Sequence, residues 1–259
     1  MRHLSDSDEL WSWQILPTGL MYSPYLAGGR EPRLGGQLVY ERHQGWLLDA
    51  TLGGQAGVLR YGTGNDSCPQ GWQLDIEGAA FPRLDQDRDL VENDYRVGVP
   101  LTTRQGPWEL KIGYNHYCSH IGDLYLLANP DFQRINYVHD SILWGVALHL
   151  SPDIRVYSEA GWAFRNDGGA EPWEFQFGAE FSPTVPTGIR GSPFFAVNGH
   201  LHQEDDFGGN MIVQTGWQWR GCTGHLLRIG VQYFNGMSDQ AQFFNKFEES
   251  SGMGLWYDF

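Results

Sequence analysis

Alternation with a period of two residues runs through nearly the whole chain, and it limits the possible folds more than any other feature. In GWQLDIEG, Trp72, Leu74 and Ile76 share one face, while Gln73, Asp75 and Glu77 share the other. In PWEFQFGAEF, Trp173, Phe175, Phe177 and Phe181 alternate with Glu174, Gln176, Gly178 and Glu180. Met211, Val213, Trp217 and Trp219 alternate in the same way with Asn210, Gln214, Gln218 and Arg220, and the pattern returns in IRVYSEAGWAF, HLLRIGVQYF and MGLWYDF. Successive side chains of an extended chain point to opposite faces, so this period means β-strand; no long segment carries the 3.6-residue period of a helix. About twelve such segments can be marked, near 33–43, 45–62, 71–81, 90–102, 107–120, 134–150, 154–165, 173–182, 192–202, 209–220, 225–235 and 251–259.

The connections between these segments alternate in length. TRQGP (103–107), SPD (151–153) and GCTG (221–224) are tight, whereas 121–133, 166–172 and 236–250 are long. Short turns at one end, long loops at the other and aromatics near strand ends are the layout of a transmembrane β-barrel. The expected fold is therefore all-β, a single closed antiparallel barrel of about twelve strands with short periplasmic turns and long extracellular loops. The barrel spans 33–259, and residues 1–32 form an irregular N-terminal segment that could fold against an end of it. A soluble sandwich is the alternative, but its inner face would have to be the aromatic one.

Composition fits the barrel. Aromatics make up 14% of the 259 residues, with 11 Trp, yet the mean hydropathy is a polar -0.41. The aromatics must then line strand faces rather than a thick core. No run approaches the roughly 18 apolar residues of a membrane-spanning helix, which excludes a helical membrane protein. A net charge of -14 without clustered Lys and Arg argues against nucleic acid as a partner. Cys68, Cys118 and Cys222 have no CxxC spacing, so they supply neither a zinc signature nor a disulfide framework. The N-terminal MRHLSDSDELW lacks the apolar stretch of a secretory signal, so the chain is either cytosolic or a processed form.

Met253, Leu255, Tyr257 and Phe259 share one face of the last segment. This ending resembles the C-terminal signal by which bacterial outer-membrane barrels are recognised by their assembly machinery. The phrases LPTGLMYSPYLAGGREPR, GWQLDIEGAAFPRLD, INYVHDSILWG, GGAEPWEFQFGAEFSP, GSPFFAVNGHL, GWQWRG and YFNGMSDQAQFF resemble those of a bacterial family known only as a domain of unknown function. The resemblance runs from about Leu16 to Phe259. It implies an outer-membrane barrel surrounded by lipid, with no established activity.

GYNHYCSHIGD (113–123) is the stretch densest in chemistry. Alternation puts Trp108, Leu110, Ile112, Tyr114, His116 and Cys118 on the lipid face of its strand, and Asn136 and Asp140 on the lipid face of the next. Residues i and i+2 of a strand stand side by side, so His116 can take a proton from Cys118 while a third group fixes the imidazole tautomer. The arrangement resembles that of outer-membrane phospholipase A and the lipid A deacylase, which carry His-x-Ser on the outer face with an Asn or Glu beside it. The resemblance implies acyl-ester hydrolysis of phospholipid or lipid A. Here a cysteine stands at the serine position. The hydroxyl is at Ser119, which would face the lumen unless a bulge turned it outward. Either Asn136 or Asp140 could orient the base. A polar collar under the headgroups is the non-catalytic alternative. A metal reading of His116, His120 and Asp123 is weaker, since strand residues four apart are separated by about 13 Å. Calcium held by Asp123 and loop carbonyls is its better form. In the lumen, Asp75, Glu77, Glu109, Lys111, Arg155, Glu159, Arg165, Glu174, Glu180, Gln214 and Arg228 mix both signs. They could line a narrow pore, but mixed charge favours plugging.

Overall fold

The computed structural model describes residues 10–64 and 68–259; the N-terminal residues 1–9 lie outside it. Twelve antiparallel strands close into a barrel: β2 (Leu34–Glu41), β3 (Gly45–Gly62), β4 (Gly71–Leu84), β5 (Leu90–Gln105), β6 (Trp108–Ile121), β7 (Val138–Ser151), β8 (Ile154–Asp167), β9 (Trp173–Phe181), β10 (Ser192–His202), β11 (Gly209–Arg220), β12 (Leu226–Met237) and β13 (Phe247–Asp258). Each pairs with its sequence neighbour, and β13 pairs with β2 to close the ring. Closure leaves no open sheet edge, the condition for strands to cross a bilayer. Among the described residues no helix is long and apolar enough to do so.

Alternation decides which way each residue faces. Along β4, Gln73, Asp75 and Glu77 are buried in the lumen, while Trp72, Leu74 and Ile76 are exposed outside. Such an outward apolar surface runs around the whole barrel, where Leu38, Val97, Ile112, Trp144, Phe177 and Met253 are all exposed. The rim that holds the C-terminus carries the tight connections 106–107 and 152–153, and the opposite rim carries 122–137 and 238–246. The asymmetry is incomplete. At the terminal rim, 182–191 is long and is held against the wall by the Trp217 and Trp219 indoles, which donate to the carbonyls of Arg190 and Ile189 at 2.8 and 3.0 Å.

The N-terminal segment contributes a short strand that its irregular sequence did not announce. β1 (Ser12–Ile15) pairs with Leu59–Gly62, the end of β3 that overhangs β2. Leu16 then takes a left-handed φ of 49° and turns the chain inward. Rather than resting at a barrel end, the following residues thread the lumen. Tyr25 stacks on Tyr157 at 3.8 Å between centroids, and its hydroxyl donates to Glu159. Lumen side chains hold the segment by its backbone: Arg60 donates to the Thr18 and Gly19 carbonyls, Arg155 to Ser23 and Arg96 to Arg30. The wall is shaped to fit, because a Cβ at Gly145 would lie 2.8 Å from Tyr22 Oη. A cavity of about 790 Å3 opens beneath the segment at the terminal rim. The opposite rim is closed by Tyr125, Phe132 and Phe243 in mutual ring contact.

Arg165 departs from the alternation. Asp140 pairs with Arg165 but Ser141 pairs with Ala163, so β8 carries a bulge at Phe164. One extra residue flips the remainder of the strand to the other face. Arg165, expected in the lumen, therefore points outward, with its side chain 73% exposed.

Candidate functional site on the outer face

The site begins with the register between β6 and β7, in which His116 is the direct cross-strand partner of Asp140. Directly opposed residues have Cβ atoms about 4.5–5.5 Å apart and diagonal neighbours about 7–8 Å, within reach of an aromatic side chain. His116 Nδ1 lies 2.7 Å from Asp140 Oδ1, and the Tyr114 hydroxyl, two residues back on the same face, donates to the same oxygen at 2.7 Å. Arg165, turned outward by the bulge, brings Nη1 to 3.7 Å from Asp140 Oδ2. The carboxylate is thus covered by its partners, with 8% of its side chain exposed against 31% for His116.

This arrangement sets the imidazole tautomer. A carboxylate accepts only, so Nδ1 carries the proton and Nε2 keeps a lone pair on the accessible side of the ring. An imidazole held this way can act as a general base.

The other sequence candidates fall in different places. Cys118 is on the same face as His116, two residues on and partly buried; among the described residues no hydrogen bond joins its sulfur to the imidazole. Ser119 faces the lumen and donates to Glu92 at 2.7 Å, so the wall separates it from His116. Strand β6 has no bulge there to turn it outward. Asn136 precedes β7, which starts at Val138, and its exposed amide is 3.4 Å from Asp167 rather than near the imidazole. Of the two candidate orienting residues, the geometry pairs Asp140 with His116. His120 is exposed and meets the Tyr95 ring at 5.7 Å, while Asp123 is exposed at the start of α1 (Asp123–Ala128). Among the described residues, the imidazole and carboxylate atoms that converge in a group of three are those of Glu174, His200 and His202, and neither His120 nor Asp123 is among them. Sequence reasoning overlooked Tyr114, although the pattern Tyr-x-His-x-Cys on one face could have pointed to it. Arg165 carried no such signal, because the bulge shows only in the pairing.

Outer membrane phospholipase A from Escherichia coli has a similar structure, with 11% identity, 88% of this chain and 92% of that chain covered, and a TM-score of 0.56. The Salmonella typhi outer membrane phospholipase dimer with bound calcium is 10% identical, with 88% and 90% covered and a TM-score of 0.53. KdgM porin is 10% identical, with 87% and 99% covered and a TM-score of 0.49. At such identities the likeness is one of fold, that of a membrane β-barrel in a lipid environment. No curated protein sequence matches the chain. A family described as "Protein of unknown function (DUF1207)" matches residues 4–259, and the chain belongs to that family.

Proposed function

We propose that the protein is a non-conducting barrel of the bacterial outer membrane whose lipid-facing surface hydrolyses acyl esters of phospholipid or lipid A. His116 is the general base, Asp140 orients it and Cys118 is the nucleophile. One observation carries this reading: the 2.7 Å contact between His116 and Asp140 on the apolar outer wall. An imidazole and a carboxylate do nothing for the stability of a lipid-facing surface, although the cost falls to about 0–1 kcal/mol near the interface. The lumen supports the first half of the proposal, because the segment around Tyr22 and Tyr25 crosses it and is held there by Glu159 and Arg155.

In the reaction, His116 Nε2 takes the thiol proton and the sulfur attacks the ester carbonyl carbon. The alcohol leaves with the proton held by the imidazolium, and a thioester forms on Cys118. Water, deprotonated by the same imidazole, then releases the fatty acid and restores the thiol. Residues i and i+2 on a strand are about 6.6–6.8 Å apart, so a turn of the Cys118 side chain is what closes the nucleophile–base contact. Such contacts are commonly loose until substrate binds.

The test is ester hydrolysis by detergent-solubilised protein on phospholipid and lipid A analogues, with and without calcium. Thiol alkylation and His116→Ala should each abolish activity. Cys118→Ser should retain part of it, and Ser119→Ala and Asn136→Ala should leave it unchanged. Activity that survives alkylation would overturn Cys118 as nucleophile. The second reading, a polar collar on a plugged structural barrel, is favoured by the missing bond between Cys118 and His116; no hydrolysis by correctly folded protein would establish it. On either reading, assembly into the membrane would proceed through β13, whose outward face carries Met253 and Leu255 and which Phe259 follows.

A further inference from the structure

We propose that the lumen, near the rim opposite the C-terminus, binds one divalent transition-metal ion such as zinc through Glu174, His200 and His202, with His139 as the fourth ligand. Pairing of β9 with β10 sets Glu174 opposite His202 and diagonal to His200. One potential ligand atom from each of the three lies within 4.8 Å of the others. His200 Nε2 and Glu174 Oε2 are 3.2 Å apart, close to the spacing of adjacent ligands around an ion bound at about 2.0–2.1 Å. His139 comes from β7, with Nδ1 3.9 Å from Glu174 Oε1. Gly161 of the intervening β8 leaves the room this needs, since a Cβ there would sit 2.6 Å from Glu174 Cγ.

The unsatisfied atoms are those a cation would use. His202 is 4% exposed, and its Nε2 has no hydrogen-bond partner. Its other nitrogen faces Glu204 at 3.6 Å, and Glu204 in turn accepts a hydrogen bond from Tyr137 at 2.8 Å. His139 Nε2 lies 3.2 Å from the Glu171 carbonyl, which can only accept, so the neutral ring turns a lone pair at Nδ1 toward the Glu174 carboxylate. His200 Nε2 donates its proton to Glu174, so an ion bound here would take the place of that proton and would also engage the unpartnered Nε2 of His202. A histidine whose far nitrogen is held by a carboxylate or a backbone carbonyl is the usual supporting arrangement of a metal ligand. A cavity of about 20 Å3 beside the cluster is lined by His139, Glu174 and His200 but not by His202, and Arg30 also faces it. Arg30 opposes a second cation there, but its guanidinium is drawn to the Asp239 carbonyl and over the Tyr117 ring, and two carboxylates offset its charge. Imidazole and carboxylate ligands suit zinc and its first-row neighbours rather than calcium.

The experiment uses untagged full-length protein folded in detergent and stripped with chelator. Zinc is titrated calorimetrically, and cobalt is added separately for its visible spectrum. The proposal expects one zinc per chain, a raised unfolding temperature with zinc, and cobalt bands of a low-coordinate site with nitrogen and oxygen ligands. His202→Ala and Glu174→Gln should abolish the binding, Glu204→Gln should weaken it about 10–100-fold, and His120→Ala should leave it unchanged. Heat-modifiable migration on gels identifies variants that have folded. Absence of zinc binding to the wild-type protein, a cobalt spectrum of a hydrated surface ion, or zinc binding unaltered in folded His202→Ala would each overturn the proposal.

Discussion

On the lumen face of β6, Glu109 meets Arg155 at 3.0 Å and His149 at 2.7 Å, Lys111 is paired with Glu159, and Ser119 donates to Glu92. On the outer face of the same strand, the neighbours of His116 are Ile112, Tyr114 and Cys118, and its hydrogen-bond partner is Asp140. Inside, polar residues are numerous, and most bind one another or the N-terminal segment. Outside, the wall is mainly apolar with scattered small hydroxyls such as Ser158, Thr215 and Ser251, and among them the acid–imidazole pair of His116 and Asp140 stands out by its charge. A buried network is thus accounted for by folding. The outer pair calls for a chemical explanation.

The largest change expected comes from emptying the lumen. Replacement of residues 20–30 by a Gly/Ser linker of equal length should turn a barrel without conductance in planar bilayers into one with large, stable steps. Conductance of the unaltered protein would break the contrast at once, because the inner face would then line a path. Next comes the outer face. His116→Ala should bring ester hydrolysis to background, and Asp140→Ala should lower it less, since the orienting member of such a triad is the most dispensable. Neither change should cost more than about 1 kcal/mol of stability in urea unfolding, as the pair sits near the rim.

Inside, the order is reversed. Arg155→Ala removes a buried cation that Glu109 and Glu180 share, although Arg104 and His149 still face Glu109, and should cost about 3–5 kcal/mol in the same unfolding measurement, with hydrolysis retained by the folded fraction. On the outer face, Tyr114→Phe removes one hydrogen bond to Asp140 and should lower the hydrolysis rate about tenfold through a less firmly held carboxylate, with a stability change of no more than about 1 kcal/mol. Arg165→Ala is the smallest. Its side chain is largely exposed, so a change above about 1 kcal/mol in stability would mean that the pair with Asp140 does more than geometry suggests.

Much of the architecture could be read before any coordinates. Trp72, Leu74 and Ile76 face outward and Gln73, Asp75 and Glu77 inward, as their alternation requires, and the expected segment 45–62 coincides with β3. Expected strand ends drift where turn chemistry is ambiguous, as at Asn136, which lies outside β7, and at Phe247, where β13 starts four positions before Ser251. The candidate site was half legible. His116 and Cys118 fall on the expected face, but nothing local could choose between Asn136 and Asp140, because that choice depends on a register between two strands.

By itself, the sequence determined the kind of element and the face to which most side chains belong. Both follow from a two-residue period that each strand carries without reference to its neighbours. Tertiary structure alone decided what depends on several strands at once. It brought His116 opposite Asp140, turned Arg165 outward through the bulge at Phe164, and drew the chain around Tyr22 and Tyr25 into the lumen. It also gathered His139, Glu174, His200 and His202 from three strands, far apart in the chain. The physical reason is that alternation is a property of one backbone, whereas register, closure and plugging minimise the free energy of the whole ring, in which each buried charge must find its partner.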